Sequence, residues 1–336
     1  MSKENSNGKG MVIGLDVGTS RVVAVQEKDG KRSVRSELNA FISLPWSKMT
    51  EASLARESIP FVVRNREIIV IGNESARMAD LFGKELRRPM IHGMLNPEEP
   101  ESLDLIRAIL RTVLEPEATA GARVRFSVPA PPLAGEGTLT FHEASLRQIL
   151  GDLGYSDVGA VNEGVAVIYS ELPDSNYTGI GVSCGGGLCN VAMAYLSVPV
   201  LSFSLPKGGD FIDANAAGVT GELINRVRLV KEESFHFNGN YSDKVQQAIA
   251  VYYDDMIQSV AASLGQALQG SRSLPRFGRS LPLVLSGGGV LPEGFRERFQ
   301  KALSEARLPV EVSEVRLARR PLEATAEGAL AAALSE

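Results

Sequence analysis

Two apolar, strand-like runs that each turn back through a glycine-bearing tip restrict this chain more than any other feature. The first, Met11 to Gly18, turns at Asp16-Val17-Gly18-Thr19-Ser20 and returns as Arg21 to Glu27. The second, Thr178 to Ser183, turns at Ser183-Cys184-Gly185-Gly186-Gly187-Leu188 and returns as Cys189 to Leu196. A hairpin needs only one or two residues of special conformation, and each further glycine costs up to about 1 kcal/mol of conformational entropy relative to alanine. Three in a row therefore point to backbone that must approach something closely, and the N–H groups of such a turn suit a phosphate. Each hairpin opens one half of the chain, which implies a duplicated, two-lobed architecture.

The rest of the pattern alternates strands and helices. Residues 31–100 hold short strands, Phe61 to Val63 and Glu67 to Ile71, among Pro60, Pro89, Pro97 and Pro100, as a small subdomain of the first lobe would. Leu103, Ile106, Ile109, Leu110 and Val113 recur at helical spacing and precede a strand at Arg123 to Val128. A Pro/Gly-rich loop, Pro129 to Gly137, then leads to a helix from about Glu143 to Leu153 and a short strand ending at Asn162-Glu163-Gly164. In the second half the spacing predicts helices over about Phe211 to Lys231 and Asp243 to Leu268, the latter with Val245, Ile249, Tyr252, Met256, Val260 and Leu264 on one face. Leu281 to Leu285 reads as a buried strand running into Ser286-Gly287-Gly288-Gly289; a helix from Glu293 to Ala306, a last strand and an Ala-rich helix follow. The expected division is a disordered polar stretch at 1–10, a first lobe at 11–165 with its small subdomain at about 31–100, and a second lobe at 166–336.

Composition excludes several partners. With 336 residues, 44% of them hydrophobic, the chain can bury a large core. A net charge of -5 supplies no field for nucleic acid, which is therefore no default partner. Met1 to Gly10 lacks an apolar core of the signal-peptide kind, and the longest apolar runs are strand-length, so we expect a cytoplasmic protein without an intrinsic membrane helix. Cys184 and Cys189 are too few for a disulfide framework and lack the further ligands of a zinc site, so they read as buried thiols. His92, His142 and His236 show no ligand spacing and read as surface or loop residues. Trp46, beside Pro45, reads as a packing anchor of the small subdomain.

Taken in order, the Asp16 turn, Asn162-Glu163-Gly164, the Gly185-Gly186-Gly187 turn and Leu285-Ser286-Gly287-Gly288-Gly289-Val290 resemble the actin-like ATPase superfamily. The likeness is to its bacterial, MreB-like branch and extends over nearly the whole chain. Gly72-Asn73-Glu74-Ser75, Gly208 to Asp213, Gly221-Glu222 with Arg226 and Arg228, and Pro321 to Ala329 extend it. The resemblance implies an α/β fold of two RNase H-like lobes closing on ATP and Mg2+. It places Asp16 on the metal, and Gly18, Thr19, Ser20, Gly185, Gly186 and Gly187 around the phosphates. Gly208, Asp210, Glu222, Arg226, Gly287, Gly288 and Gly289 fall to the rest of the nucleotide. It further implies self-association into filaments, with room for a cytoplasmic adaptor protein.

Three departures qualify those expectations. Ser183 stands where the resembled family carries a second aspartate, so hydrolysis is expected to be slow or lost while binding survives. The water-orienting residue falls by counting at His142 or Glu143, and the sequence does not choose between them. Between Lys231 and Asp243 a whole subdomain is missing, which leaves the second lobe's small subdomain reduced or absent. A nucleotide-gated scaffold that does not hydrolyse, and a sugar or small-acid kinase of the same superfamily, remain as alternatives. ATP and GTP are not distinguished.

Overall fold

The computed structural model describes residues 10–99, 101–114, 121–133, 139–271, 274–275 and 280–336. The polar N-terminus at 1–9 and the centre of the Pro129 to Gly137 loop, residues 134–138, lie outside the described residues.

The first lobe is built on the expected hairpin, β1 (Val12–Val17) and β2 (Arg21–Lys28), which pair antiparallel with Asp16 opposite Val23. A third strand, β3 (Lys31–Leu38), continues the meander. It lies inside the span expected for the small subdomain yet belongs to the main sheet, because Lys28 to Lys31 is a tight turn that hands the chain straight back to β2. Then come β4 (Phe41–Pro45), α1 (Lys48–Arg56), β5 (Phe61–Arg64), β6 (Glu67–Ile71) and α2 (Asn73–Phe82). These form a small subdomain whose separate core includes Ile42, Leu44, Leu54, Ile68, Val70 and Met78. Trp46 is 44% exposed and donates its indole N–H to Glu51, so it does not anchor that core. Gly72 enters α2 at φ +72, and Asn73 ties the helix back to β3, accepting from Leu38 N through its side chain while its own backbone N–H donates to Glu37. A two-stranded hairpin, β7 (Met90–Ile91) and β8 (Met94–Leu95), leads to α3 (Ser102–Val113), β9 (Arg123–Val128), α4 (Thr140–Asp152) and β10 (Asp157–Asn162).

The second lobe repeats the scheme after α5 (Glu163–Glu171). Strands β11 (Gly179–Cys184), β12 (Cys189–Tyr195) and β13 (Val198–Leu205) form the meander. Helices α6 (Gly209–Thr220), α7 (Ile224–Glu233) and α8 (Lys244–Gly270) follow, then β14 (Leu281–Ser286), α9 (Phe295–Glu305), β15 (Val312–Leu317) and α10 (Ala324–Ser335). The single helix expected over Phe211 to Lys231 is two, because Gly221 at φ +76 ends α6 in the left-handed conformation a β-carbon resists. The two main sheets read β3-β2-β1-β9-β10 and β13-β12-β11-β14-β15, the same order of meander and parallel strands. Duplication is thus a property of the topology.

The lobes exchange helices. α5 follows the first sheet in sequence but packs on β11 and β12, whereas α10 follows the second sheet and packs on β1, β2 and β9; the two helices cross against each other. The crossing needs glycine, since an ideal Cβ on Gly328 would lie 1.8 Å from the Ala166 carbonyl oxygen, and so does the seat of α10 on β1, where one on Gly14 would lie 2.1 Å from that of Ala326. The link between α7 and α8, Ser234 to Asp243, forms no sheet. It is pinned by a stack in which the Phe235 ring lies 5.4 Å from Tyr253 and 5.7 Å from Tyr241, nearly parallel to both.

Candidate functional site

The cleft between the lobes collects side chains from five elements, β1, β9, α5, β11 and β12. At the end of β1, Asp16 accepts a hydrogen bond of 2.6 Å from Ser127 Oγ on the neighbouring β9. At the start of α5 the Asn162 side chain caps the helix by accepting from the Gly164 and Val165 N–H groups, which sets Glu163 in the first turn. Gly164 follows because α5 runs against β12 there: a Cβ would meet Ala192 N at 2.7 Å. Each residue of Asn162-Glu163-Gly164 therefore has its own physical reason.

Glu163 lies in the field of Asp16. Burial, reinforced by the Asp16 charge, pushes its carboxyl up to about 8, while hydrogen bonds from Asn190 and Ser183 pull the other way. Burial likewise pushes Asp16 up to about 6 against the Ser127 hydrogen bond. Two carboxylates that hold protons this firmly are suited to a positive neighbour. Asn190 Nδ2 donates to Glu163 at 2.8 Å, while its Oδ1 accepts from Ala130 N of the first lobe, so one amide orients the carboxylate and links the lobes.

Above these carboxylates the two glycine turns meet face to face. A Cβ on Gly186 would lie 2.0 Å from Ser20 Oγ, and one on Gly187 would lie 2.5 Å from Thr19 Oγ1, so any side chain there would displace the opposite turn. The first turn is closed by Gly18 N donating to Arg21 O and braced by buried Asn39, whose side chain donates to Gly18 O at 2.8 Å. The second is braced by the start of α6, where Gly209 N and Asp210 N donate to the Gly185 and Gly186 carbonyls. Gly208 faces the same carbonyls, with an ideal Cβ 2.4 Å from Gly186 O. The tip of the β7–β8 hairpin closes over the pair: Gly93 N donates to Thr19 Oγ1 at 2.8 Å, and Arg88 bonds Asp210 at 2.6 Å. Asp210 is thus held by an ion pair between the lobes.

The third glycine run lies beside the second. Gly287, at φ +91, and Gly289 press on Cys184, with ideal Cβ positions 2.3 and 3.0 Å from its carbonyl oxygen. Gly288 meets only Leu322 at an ordinary 3.6 Å, so packing alone does not require glycine there.

Other candidates fall elsewhere. Glu143 is spent on an exposed pair with Arg147, one turn on along α4. His142 is 2% exposed, not a surface residue; neither ring nitrogen has a hydrogen-bond partner among the described residues, and burial lowers it to about 4. The carboxylate beside Asp16 comes instead from α5, as Glu163. Glu222 and Arg226 pair with each other at 3.3 Å, the arginine 67% exposed. The basic side chain that reaches the Gly208-Gly209 turn is Lys231, bonded to Gly209 O and to buried Asp213. Glu163, Asn190, Asn39 and Lys231 were not singled out as site residues by their sequence context. The first of them lay within Asn162-Glu163-Gly164, which stood out only as part of the family resemblance. Ser183 is buried and hydrogen-bonds Glu163, so the position expected to carry a charge carries a donor to one.

The residues suit a hydrated divalent cation held with ligand phosphates. Among the described residues no group of three or more His, Cys, Asp or Glu side chains converges on a point, and one or two carboxylates plus phosphate oxygens is the arrangement magnesium ordinarily takes. No helix among the described residues is long and apolar enough to cross a membrane.

Comparison with known proteins agrees with this architecture. A sequence family described as Volactin matches residues 11–333. No curated protein matches at a significant level. Among solved structures, the chain is similar to the MamK double helical filament, at 18% identity and a TM-score of 0.68, covering 96% of this chain and 98% of that one. It is also similar to MreB 5 of Spiroplasma citri bound to AMPPNP, at 16% identity and 0.67, covering 95% and 94%. The ethanolamine utilization protein EutJ from Carboxydothermus hydrogenoformans gives 16% and 0.57, covering 97% and 91%. The two lobes, their repeated sheets and the exchanged helices are those of the actin-like fold.

Proposed function

The chain belongs to the Volactin family, and from that premise we propose that it binds ATP with magnesium between its lobes, hydrolyses it slowly and assembles into filaments. The observation that carries this reading is the meeting of two glycine turns, one from each lobe, over the paired carboxylates Asp16 and Glu163. Turns built this way offer backbone N–H groups and the Thr19 and Ser20 hydroxyls to phosphate oxygens. They must part to admit phosphate, because the Gly186 face already touches Ser20. Asp16 would hold the magnesium, which when bound supplies positive charge against the phosphates. Glu163, oriented by Asn190 and Ser183 and ionised in the field of the bound cation, would accept the proton of the attacking water. With serine at 183, the cleft relies on one carboxylate for that task, which is the reason to expect slow turnover. Assembly is supported by the likeness to a filament-forming MamK, nucleotide binding by the likeness to an AMPPNP-bound MreB 5. A cytoplasmic filament, with an adaptor linking it to cargo, completes the reading.

Mg-ATP should raise the melting temperature of the wild type by mass action, and Asp16→Ala should remove most of that shift. Glu163→Gln should keep the shift while phosphate release falls by roughly 100-fold or more, the usual size of a lost general base. A full shift in the Asp16 variant, or unchanged turnover in the Glu163 variant, would overturn the assignment.

A further inference from the structure

We propose that Cys184 and Cys189 are a redox pair, and that peroxide joins them into a reversible disulfide which weakens nucleotide binding. The two residues are direct partners in the β11–β12 ladder, at the neck of the Gly185 to Leu188 turn. Side chains of such partners share one face of the sheet. Their Cα atoms stand about 4.5–5.5 Å apart, inside the roughly 4.4–6.8 Å that a disulfide spans. Both thiols are free, and they sit side by side at the last rung of the hairpin. Forming the bridge therefore requires side-chain rotation and no new course of the chain.

The consequence for the cleft follows from what the Cys189 thiol now does. It donates to the Lys207 carbonyl at 3.0 Å and so anchors the segment leading into Gly208-Gly209-Asp210. The Gly209 and Asp210 N–H groups brace the Gly185 and Gly186 carbonyls, and Cys184 itself is the surface on which Gly287 and Gly289 lie. A disulfide removes the thiol proton, releases Lys207 O, and re-aims a side chain between two of the three glycine runs. The site's backbone geometry is then no longer held from behind. This consequence rests on the proposed nucleotide site; the bridge itself does not.

Both side chains are fully buried, so the oxidant must be small and neutral, and hydrogen peroxide fits. The neighbouring Cys184 thiol and burial push Cys189 up, so reaction at neutral pH is slow. One thiolate attacks a peroxide oxygen; the S–O bond forms as the O–O bond breaks, and hydroxide leaves to take up the displaced proton as water. The second thiol attacks the sulfenic sulfur; the S–S bond forms, the S–O bond breaks, and a second water leaves. Two thiols and one peroxide become one disulfide and two waters, sulfur being oxidised and peroxide oxygen reduced.

The test uses the full chain, folded, with and without hydrogen peroxide and then dithiothreitol. Expected are the loss of both titratable thiols, a monomer lighter by two hydrogen atoms, and a Mg-ATP melting shift at least halved, all reversed by the reductant. Cys189→Ser, which cannot form the bridge and whose hydroxyl can still donate to the Lys207 carbonyl, should show the same ATP shift with and without peroxide; the wild type before and after reductant serves as its own control should that variant fold poorly. Two free thiols after prolonged treatment, a bridge only between molecules, or an oxidised protein with its whole ATP shift would overturn the proposal. A reduced wild type with no ATP shift would instead count against the nucleotide site, while thiol count and mass still decide the bridge.

Discussion

Asp16 and Glu163 set the residue scale, because their proton affinities make a statement about stability. In an unfolded chain they titrate near 3.8 and 4.5; folded, they are pushed up to about 6 and about 8. Between those ranges the native state binds more protons than the unfolded state, so stability falls as pH rises. The loss begins above about pH 4 and is complete only above about pH 8. The ligand-free protein should therefore melt lower near pH 8.5 than near pH 5.5, and Glu163→Gln should remove most of that slope. An unaltered slope in the variant would mean that other groups set the pH dependence. Glu163 stood in plain sight in Asn162-Glu163-Gly164, yet its neighbours in sequence show only the end of a short strand. Its role depends on Asp16, Ser183 and Asn190, which arrive from other strands.

At the scale of elements, the exchange of α5 and α10 makes two glycines comparable. Gly328 is wedged against the Ala166 backbone, where neither helix has a side chain that could yield, so Gly328→Ala must push the lobes' crossing apart. We expect a loss of about 1–3 kcal/mol, the usual cost of overpacking a tight contact. Gly218 lies in α6 with nothing within 4 Å of its ideal Cβ. Gly218→Ala should therefore gain about 0.5–1 kcal/mol from helix propensity alone. Urea denaturation measures both, and equal effects of the same sign would refute the contrast. Helical periodicity in Pro321 to Ala329 was legible, but not which lobe the helix serves. An apolar face records that something covers it, and the covering element here belongs to the other half of the chain.

For the whole molecule, the question is what remains of a filament contact when the second small subdomain is replaced by Ser234 to Asp243. The aromatic stack of Tyr241, Phe235 and Tyr253 folds that link down onto the lobe. On the filament reading proposed above, one lobe's small subdomain would meet the next subunit, and its replacement by a short link would remove a large part of that contact. A stable interface usually buries roughly 1,200–2,000 Å², and one so reduced makes a weak joint. Pelleting with Mg-ATP over a concentration series should therefore show a threshold at about micromolar or higher, and images at onset should show paired or bundled strands. Single protofilaments at nanomolar protein would contradict this.

What the sequence determined by itself was local or repeated. Strand, glycine turn and strand lie adjacent in the chain, so both hairpins, β1–β2 and β11–β12, could be read directly, and their repetition implied two lobes. The break at Gly221, the place of β3 in the main sheet, the burial of His142 and the exposure of Trp46 were decided by tertiary structure. So was the partnership of Asp16 with Glu163 across the cleft. The physical reason is the same throughout: periodicity and turn chemistry report the conformation of a segment and the face it hides. Desolvation, ion pairing and close backbone approach depend on atoms delivered by segments far away in the chain.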